Sequence, residues 1–348
     1  MNDEEKLKET FDFESGETKR VLQKAKIFTL VRTIAVSLLV FMLLSAAIVI
    51  LNAILLNRIA NNELQNEQLF ESVARPNTYM AHDQVNDGFL VGEAEYVTYR
   101  IVGNRPVYDG TYKVKYKIIP IVQGLYGTGR GQLTQIKDEN EFSYFSYYNK
   151  VGNREMKFYH PYIEYETYQN DLAQLEEIGE DKYLEMALSF DRDYSLEEVR
   201  AMLPDEVKLV WYWVDTYNEE DLDRMKGHYA ELIGNDGQPT GEKQYQEPRI
   251  LFANQVYGMK GMTSTGEIID DPRRSFVEVI NAGLNRKSRY QSQFKELYNT
   301  LSNNKGKISE DDLRIIGVVV TGDTASMKLL KDGNYIKAST LGIVTDKF

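Results

Sequence analysis

The chain has 348 residues, 42% of them hydrophobic and 11% aromatic, with 53 acidic against 41 basic side chains for a net charge of −12, and it contains no cysteine. That length holds one or two domains large enough to fold without staples. The missing cysteine excludes disulfides and Cys-ligated zinc, and the acidic balance argues against direct binding of nucleic acid without a bridging cation.

Residues 1–32 sum to zero charge but are polarised. Positions 1–18 carry seven acidic and two basic side chains, whereas 19–32 carry five basic ones, Lys19, Arg20, Lys24, Lys26 and Arg32. The basic half suits an anionic lipid surface, and the acidic half is free to meet a cationic partner. Leu7 and Phe11 form an i, i+4 pair, and Val21 and Leu22 extend an apolar strip beyond the break at Ser15-Gly16. Two readings stand: a disordered tail that only sets topology, or a docking segment that folds on its partner.

Residues 33–56 carry no charge across 24 positions, and fifteen of them are Leu, Ile, Val or Phe. As a helix this run reaches roughly 36 Å, against about 30 Å for a hydrocarbon core, and it favours insertion by roughly 4 to 9 kcal/mol. Five basic residues precede it, while only Arg58 and Arg75 follow within the next 26 positions. The pattern predicts a single-pass membrane protein with its N-terminus in the cytoplasm and its C-terminus outside the cell. A cleaved signal peptide has a shorter apolar region after a shorter basic one, so an uncleaved anchor is the better reading.

Residues 57–75 are polar, place Ile59, Glu63, Asn66 and Phe70 on one helical face, and read as a stalk. A β-rich region is expected over 76–170. The segments 92–103 and 110–122 alternate polar and apolar residues, separated by turn chemistry at Asn104-Arg105-Pro106 and Asp109-Gly110. Ten aromatics fall within 142–168, among them Tyr144, Tyr147, Tyr148, Tyr159, Tyr162 and Tyr165. They read as an aromatic β surface packed on its neighbour in preference to a sugar-facing or lipid-facing platform.

A second α+β domain is expected over 171–348, built on a repeat. Residues 184–214 run strand, helix opened by Ser195 with Glu198 three places on, stop at Pro204, strand; residues 314–344 run strand, Gly322-Asp323-Thr324 turn, helix with Met327 and Leu330, stop at Gly333, strand. Each unit is 31 residues long, and two such units predict a ferredoxin-like sheet of duplicated βαβ type with parallel pairing inside each unit, Leu209, Trp211 and Trp213 sharing its buried face. Between the units lie a polar loop, 215–249, and a helical region whose Tyr290, Phe294, Leu297 and Leu301 form a packing face.

Catalytic motifs do not appear. His82, His160 and His228 lie in separate segments outside any His-Glu-x-x-His pattern, no Ser is framed as Gly-x-Ser-x-Gly, and Gly127, Gly129 and Gly131 lack a strand-to-helix context. The acidic run Glu219, Glu220, Asp221 and Asp223 lacks the spacing of a calcium loop and reads as a solvated face. No cofactor is implied, and no enzyme activity.

Four stretches carry a resemblance: KRVLQKAK before the span, GFLVGEAEYVTYRIVGNRPV beyond it, LSFDRDYSLEEVRAMLPDEVKLVWYWVDTY, and the terminal IIGVVVTGDTASMKLLKDGNYIKASTLGIVTD. Together they resemble the membrane-anchored sigma factor regulators of Gram-positive bacteria, a family that includes the anti-sigma-M factor of Bacillus. The resemblance implies an anti-sigma factor whose arm holds an extracytoplasmic-function sigma factor at the membrane and whose external domain reports envelope stress. Without Cys, the zinc-containing anti-sigma module cannot be present, and so short an arm leaves room for a second small membrane protein to share the binding. On this reading Leu7, Phe11 and Phe13, with Glu4, Glu5, Val21 and Leu22, meet the sigma factor, whose DNA-binding surface is basic. The alternative is a membrane-tethered extracytoplasmic binding protein or enzyme of cell-envelope assembly that uses the span only as a tether.

Overall fold

The computed structural model describes residues 16–119, 134–137, 145–233, 238–303 and 305–347. Its first element, α1 (Gly16–Ala74), runs for 59 residues, about 88 Å at 1.5 Å per residue. The basic half of the arm, the apolar run and the expected stalk are therefore one rod. No Gly or Pro follows Gly16 until Pro76, which ends the helix by disfavouring αR at the residue before it. Among the described residues α1 is the one helix long and apolar enough to cross a membrane. Its apolar side chains are exposed from Val21 to Ile54, and burial begins at Leu56 and Ala60, which pack on Ala94 and Tyr116.

Strands β1 (Thr78–Asp87), β2 (Val91–Val102) and β3 (Arg105–Lys117) form an antiparallel sheet in that order beside the helix. Asp109-Gly110, expected as a turn, lies inside β3. Thr98 pairs with Gly110 and Tyr99 with Tyr108, so Asp109 is an extra residue, a β-bulge that re-aims its side chain. A short hairpin, β4 (Thr134–Lys137) and β5 (Phe145–Tyr148), leads to β6 (Lys157–Phe158) and the small helix α2 (Leu175–Ile178).

The remaining elements are β7 (Lys182–Tyr194), α3 (Leu196–Met202), β8 (Lys208–Val214), α4 (Glu219–Met225), β9 (His228–Ile233), β10 (Pro239–Gln246), β11 (Leu251–Phe252), β12 (Gly258–Lys260), α5 (Arg273–Asn285), α6 (Gln291–Ser302), β13 (Ile315–Asp323), α7 (Thr324–Lys328) and β14 (Ile336–Asp346). The Ser195–Glu198 capping box opens α3 as the sequence predicts. The segment 215–249 is not a plain loop: a second capping box, Asn218 with Asp221, opens α4, and β9 pairs with β10. Part of its acidic run thus caps a helix.

The four strands of the two repeat units do share one sheet, in the order β12-β8-β13-β7-β14, but every pair is antiparallel. Parallel pairing inside each unit does not occur, because β13 lies between β7 and β8 while β7 lies between β13 and β14. Both faces are covered, which explains the nearly continuous apolar runs of β7, β8 and β13. One face, with Met186, Leu188, Phe190 and Val318, meets Leu196, Phe276, Ile280, Phe294, Leu297 and Met327 of the helices, and Phe70, Val73 and Ala74 from the end of α1. The other, with Ala187, Trp211, Trp213 and Val319, meets Phe158, Tyr159, Tyr165, Leu251 and Met262.

The aromatic segment is divided: Phe158, Tyr159 and Tyr165 are core, Tyr147, Tyr148 and Tyr168 are half-buried, and Phe145 and Tyr162 are exposed; Phe142 and Tyr144 lie outside the described residues. Leu209 does not share the tryptophans' face. Val319 pairs with Trp211 but Val320 with Leu209, so Val210 is bulged and Leu209 turns toward the helices.

Candidate functional site

The described residues concentrate buried charge where α1, the three-stranded sheet and the main sheet meet. Glu63, Glu67 and Glu71 recur at i, i+4 and so line one side of α1. Glu67 is fully buried. It accepts a hydrogen bond from Tyr96 Oη of β2 at 2.9 Å and another from Tyr290 Oη at 2.8 Å, and it pairs with Arg289. Phe70 stacks on the Tyr290 ring with centroids 3.9 Å apart.

One turn on, Glu71 pairs with Arg75, whose guanidinium lies 4.3 Å from the centroid of the Tyr112 ring. Burial raises the Glu71 carboxyl pKa more than Arg75 lowers it, and its Oε2 has no hydrogen-bond partner. Tyr96 Oη is also 3.0 Å from Glu71 Oε1. One hydroxyl proton cannot serve two carboxylates at once, so Tyr96 Oη donates to Glu67 or to Glu71 but not to both. On the far side, Lys260 Nζ donates to Thr78 O at 3.0 Å and sits 4.5 Å from the centroid of the Tyr79 ring, with burial pushing its pKa down to about 8.

The second half of the junction centres on Arg100 of β2, which is buried. Its Nη1 reaches Glu185 Oε2 of β7 at 3.2 Å and its Nη2 lies 3.6 Å from Glu155 Oε1. Its Nε is 3.1 Å from Asp109 Oδ1, an ion-pair contact without hydrogen-bond alignment. The bulge in β3 is what brings Asp109 here. Asn149 Nδ2 donates to Asp109 Oδ1 at 3.0 Å, and Asn77 Nδ2 donates to Glu185 Oε1 at 2.7 Å and to Ile101 O. Three carboxylates around one guanidinium leave an excess of negative charge, and burial pushes the Glu155 pKa up despite Arg100.

A 260 Å³ pocket opens between the two halves, lined by Arg75, Arg100, Asp109, Tyr112, Asn149 and Glu155 among others. None of these groups forms a nucleophile–base pair. What the arrangement can do is mechanical: α1 cannot shift against the body without parting the buried Glu67 from Arg289, Tyr96 and Tyr290, and an unpaired buried charge costs several kcal/mol.

Of the residues expected to bind a partner, Glu4, Glu5, Leu7, Phe11 and Phe13 lie outside the described residues, and Val21 and Leu22 are exposed near the start of α1. The junction itself was missed by sequence reasoning. Its signal was present in two places: the Glu63-Glu67-Glu71 spacing in the stalk, and a lone Glu185 within the apolar strand LEMALSF. His160 is packed, fully buried against Trp213 and Tyr217.

The described residues join a helix long and apolar enough to cross a membrane to a mixed α/β body, with buried Glu67 at the joint. Residues 19–107 match the sigma factor regulator N-terminal family and residues 175–343 the sigma factor regulator C-terminal family, so the chain carries both sigma factor regulator domains in order. These domains are regulatory and non-catalytic, and no group of His, Asp or Glu among the described residues is placed to hold a metal ion. No curated protein and no solved structure matches the chain.

Proposed function

We propose that this chain is an anti-sigma factor that holds an extracytoplasmic-function sigma factor through its cytoplasmic arm and reads envelope state through its body outside the membrane. The observation that carries the reading is the continuity of α1, which joins the basic half of the arm to the Glu67–Glu71 junction with no break. A rigid rod transmits displacement or rotation; a flexible stalk dissipates it. The excess of basic residues before position 33 supports the orientation, and the acidic, aromatic-bearing first half of the arm complements a basic sigma surface. We read the interleaved strands β8-β13-β7-β14 as a split βαβ pair of ferredoxin-like type that gives the body its rigid frame.

Pull-down of candidate sigma factors by the full chain, with and without a small membrane partner, tests this. Leu7→Ala with Phe11→Ala removes roughly 1.5 to 3 kcal/mol per side chain of apolar burial and should abolish retention. Glu4→Lys with Glu5→Lys should slow association and shift its salt dependence. Retention of no sigma factor by the wild-type chain under either condition sinks sequestration and returns the tethered envelope protein. Protease added outside intact cells should spare only the arm and span; a protected C-terminus reverses the orientation.

A further inference from the structure

The apolar run is longer than a bilayer needs, and its end serves the protein. Nineteen residues, 33–51, span about 28 Å, close to the thickness of a hydrocarbon core. The next residue, Asn52, is tied to the β1–β2 turn: its Nδ2 donates to Gly88 O at 3.0 Å and its Oδ1 accepts from Leu90 N at 2.8 Å. The turn therefore sits level with the edge of the hydrocarbon. Leu56 and Ala60, further along, are covered by Ala94 and Tyr116 of the sheet and not by lipid.

At this level the turn presents Phe89 with 62% of its surface exposed, and Ile119, just beyond β3, with 40%. Ile118 N donates to Leu90 O at 2.9 Å, which brings the end of β3 to the same turn. Leu90 holds a left-handed φ of 63°, a conformation unfavourable for a γ-branched residue and maintained here by its contacts with Asn52 and Ile118. Ile48 and Val49, one turn before Asn52 and on its side of the helix, are exposed as well, so lipid covering that side also reaches Phe89. Aromatic side chains are favoured at that depth.

We propose that the β1–β2 turn, through Phe89 with Ile119 beside it, is a lipid-seating wedge that inserts into the membrane interface around α1 and fixes the height and rotation of the body on the bilayer. The occupant is lipid, and the proposal rests on the membrane-spanning reading of α1. It gives the regulator a contact with the membrane surface that is separate from its anchor.

The absence of cysteine makes the experiment direct. Single-cysteine full chains carrying an environment-sensitive fluorophore at Phe89→Cys, Ile119→Cys, Val40→Cys or Tyr229→Cys are placed in phosphatidylcholine–phosphatidylglycerol vesicles with nitroxide-bearing lipids. Probes at 89 and 119 should be quenched by shallow nitroxides, the probe at 40 by deep ones, and the probe at 229, an exposed residue of the β9–β10 hairpin, by neither. Phe89→Glu should relieve quenching at 119, and Phe89→Leu should not. A probe at 89 as accessible to water as that at 229, with 40 still quenched, overturns the wedge and leaves the anchor standing, as does quenching at 119 that ignores Phe89→Glu. Loss of quenching at 40 as well overturns the spanning helix itself.

Discussion

Arg100 of β2 and Glu185 of β7, 85 positions apart in the chain, meet at 3.2 Å in a fully buried ion pair that joins the membrane-proximal sheet to the main one. No loop connects those strands directly, so the pair reports whether the two sheets are seated on each other. Removing the Arg100 side chain would leave three carboxylates, Asp109, Glu155 and Glu185, without the cation they share.

Replacing Arg100 with Leu strands Asp109, Glu155 and Glu185 in the interior. The full chain in detergent should lose about 3 to 5 kcal/mol of unfolding free energy in urea, the ordinary cost of breaking a buried ion pair from one side. A double replacement, Arg100→Leu with Glu185→Leu, should recover part of that loss. An Arg100→Leu chain as stable as wild type would show that the carboxylates are already hydrated.

The pH dependence has a definite sign. Glu155 holds its proton more tightly in the folded chain, because of burial, than in the unfolded chain, where it titrates near its ordinary 4.5. A raised folded pKa contributes stability that is fully present below 4.5 and lost as pH climbs through the raised value. Glu155→Gln should therefore gain stability over wild type at neutral pH, and the gain should vanish as pH falls toward 4.5. Urea titrations across that range check it, and a gain that grows on acidification would mean that Arg100 keeps Glu155 ionised.

Trp211 is fully buried, with its ring 6.1 Å from that of Phe158 at an angle of 71°. Trp211→Ala should cost about 3 to 5 kcal/mol through lost burial and the cavity left behind. Trp211→Phe keeps most of the filling and should cost distinctly less in the same melt. The indole N–H has no hydrogen-bond partner, so equal losses for the two would show that a phenyl ring cannot fill the site and that the full indole volume carries the packing.

Transmission through α1 predicts a separable phenotype. Arg58 is exposed on the helix between the span and the junction, and Arg58→Pro there costs about 3 kcal/mol of local helix while touching neither end. Sigma factor retention by the arm should persist, whereas the response of a sigma-dependent reporter to envelope damage should be lost. An undiminished response would remove the helix as the connecting element.

Local chemistry made much of this protein legible from its sequence. An uncharged, apolar run of 24 residues specifies a helix long enough to cross a membrane, and Ser195 with Glu198 closes a capping box from positions three apart. The apolar strands of the two 31-residue units likewise declared their membership of one sheet. Pairing partners were a different matter, since adjacency in a sheet is set by which strands interleave in space. The antiparallel order, with β13 inserted between β7 and β8, followed from the tertiary fold alone.

The bulges show the same limit at the scale of single residues. Asp109-Gly110 has the composition of a turn, and only its pairing against Thr98 and Tyr99 makes it an extra residue that aims a carboxylate at Arg100. One bulged Val210 was enough to send Leu209 to the face opposite Trp211. The charge junction is the clearest case: Glu67, Arg100, Glu155 and Glu185 are ordinary surface residue types until four distant segments enclose them. Sequence fixes which groups can ionise; burial and proximity, which decide what that ionisation costs, exist only once the chain has folded.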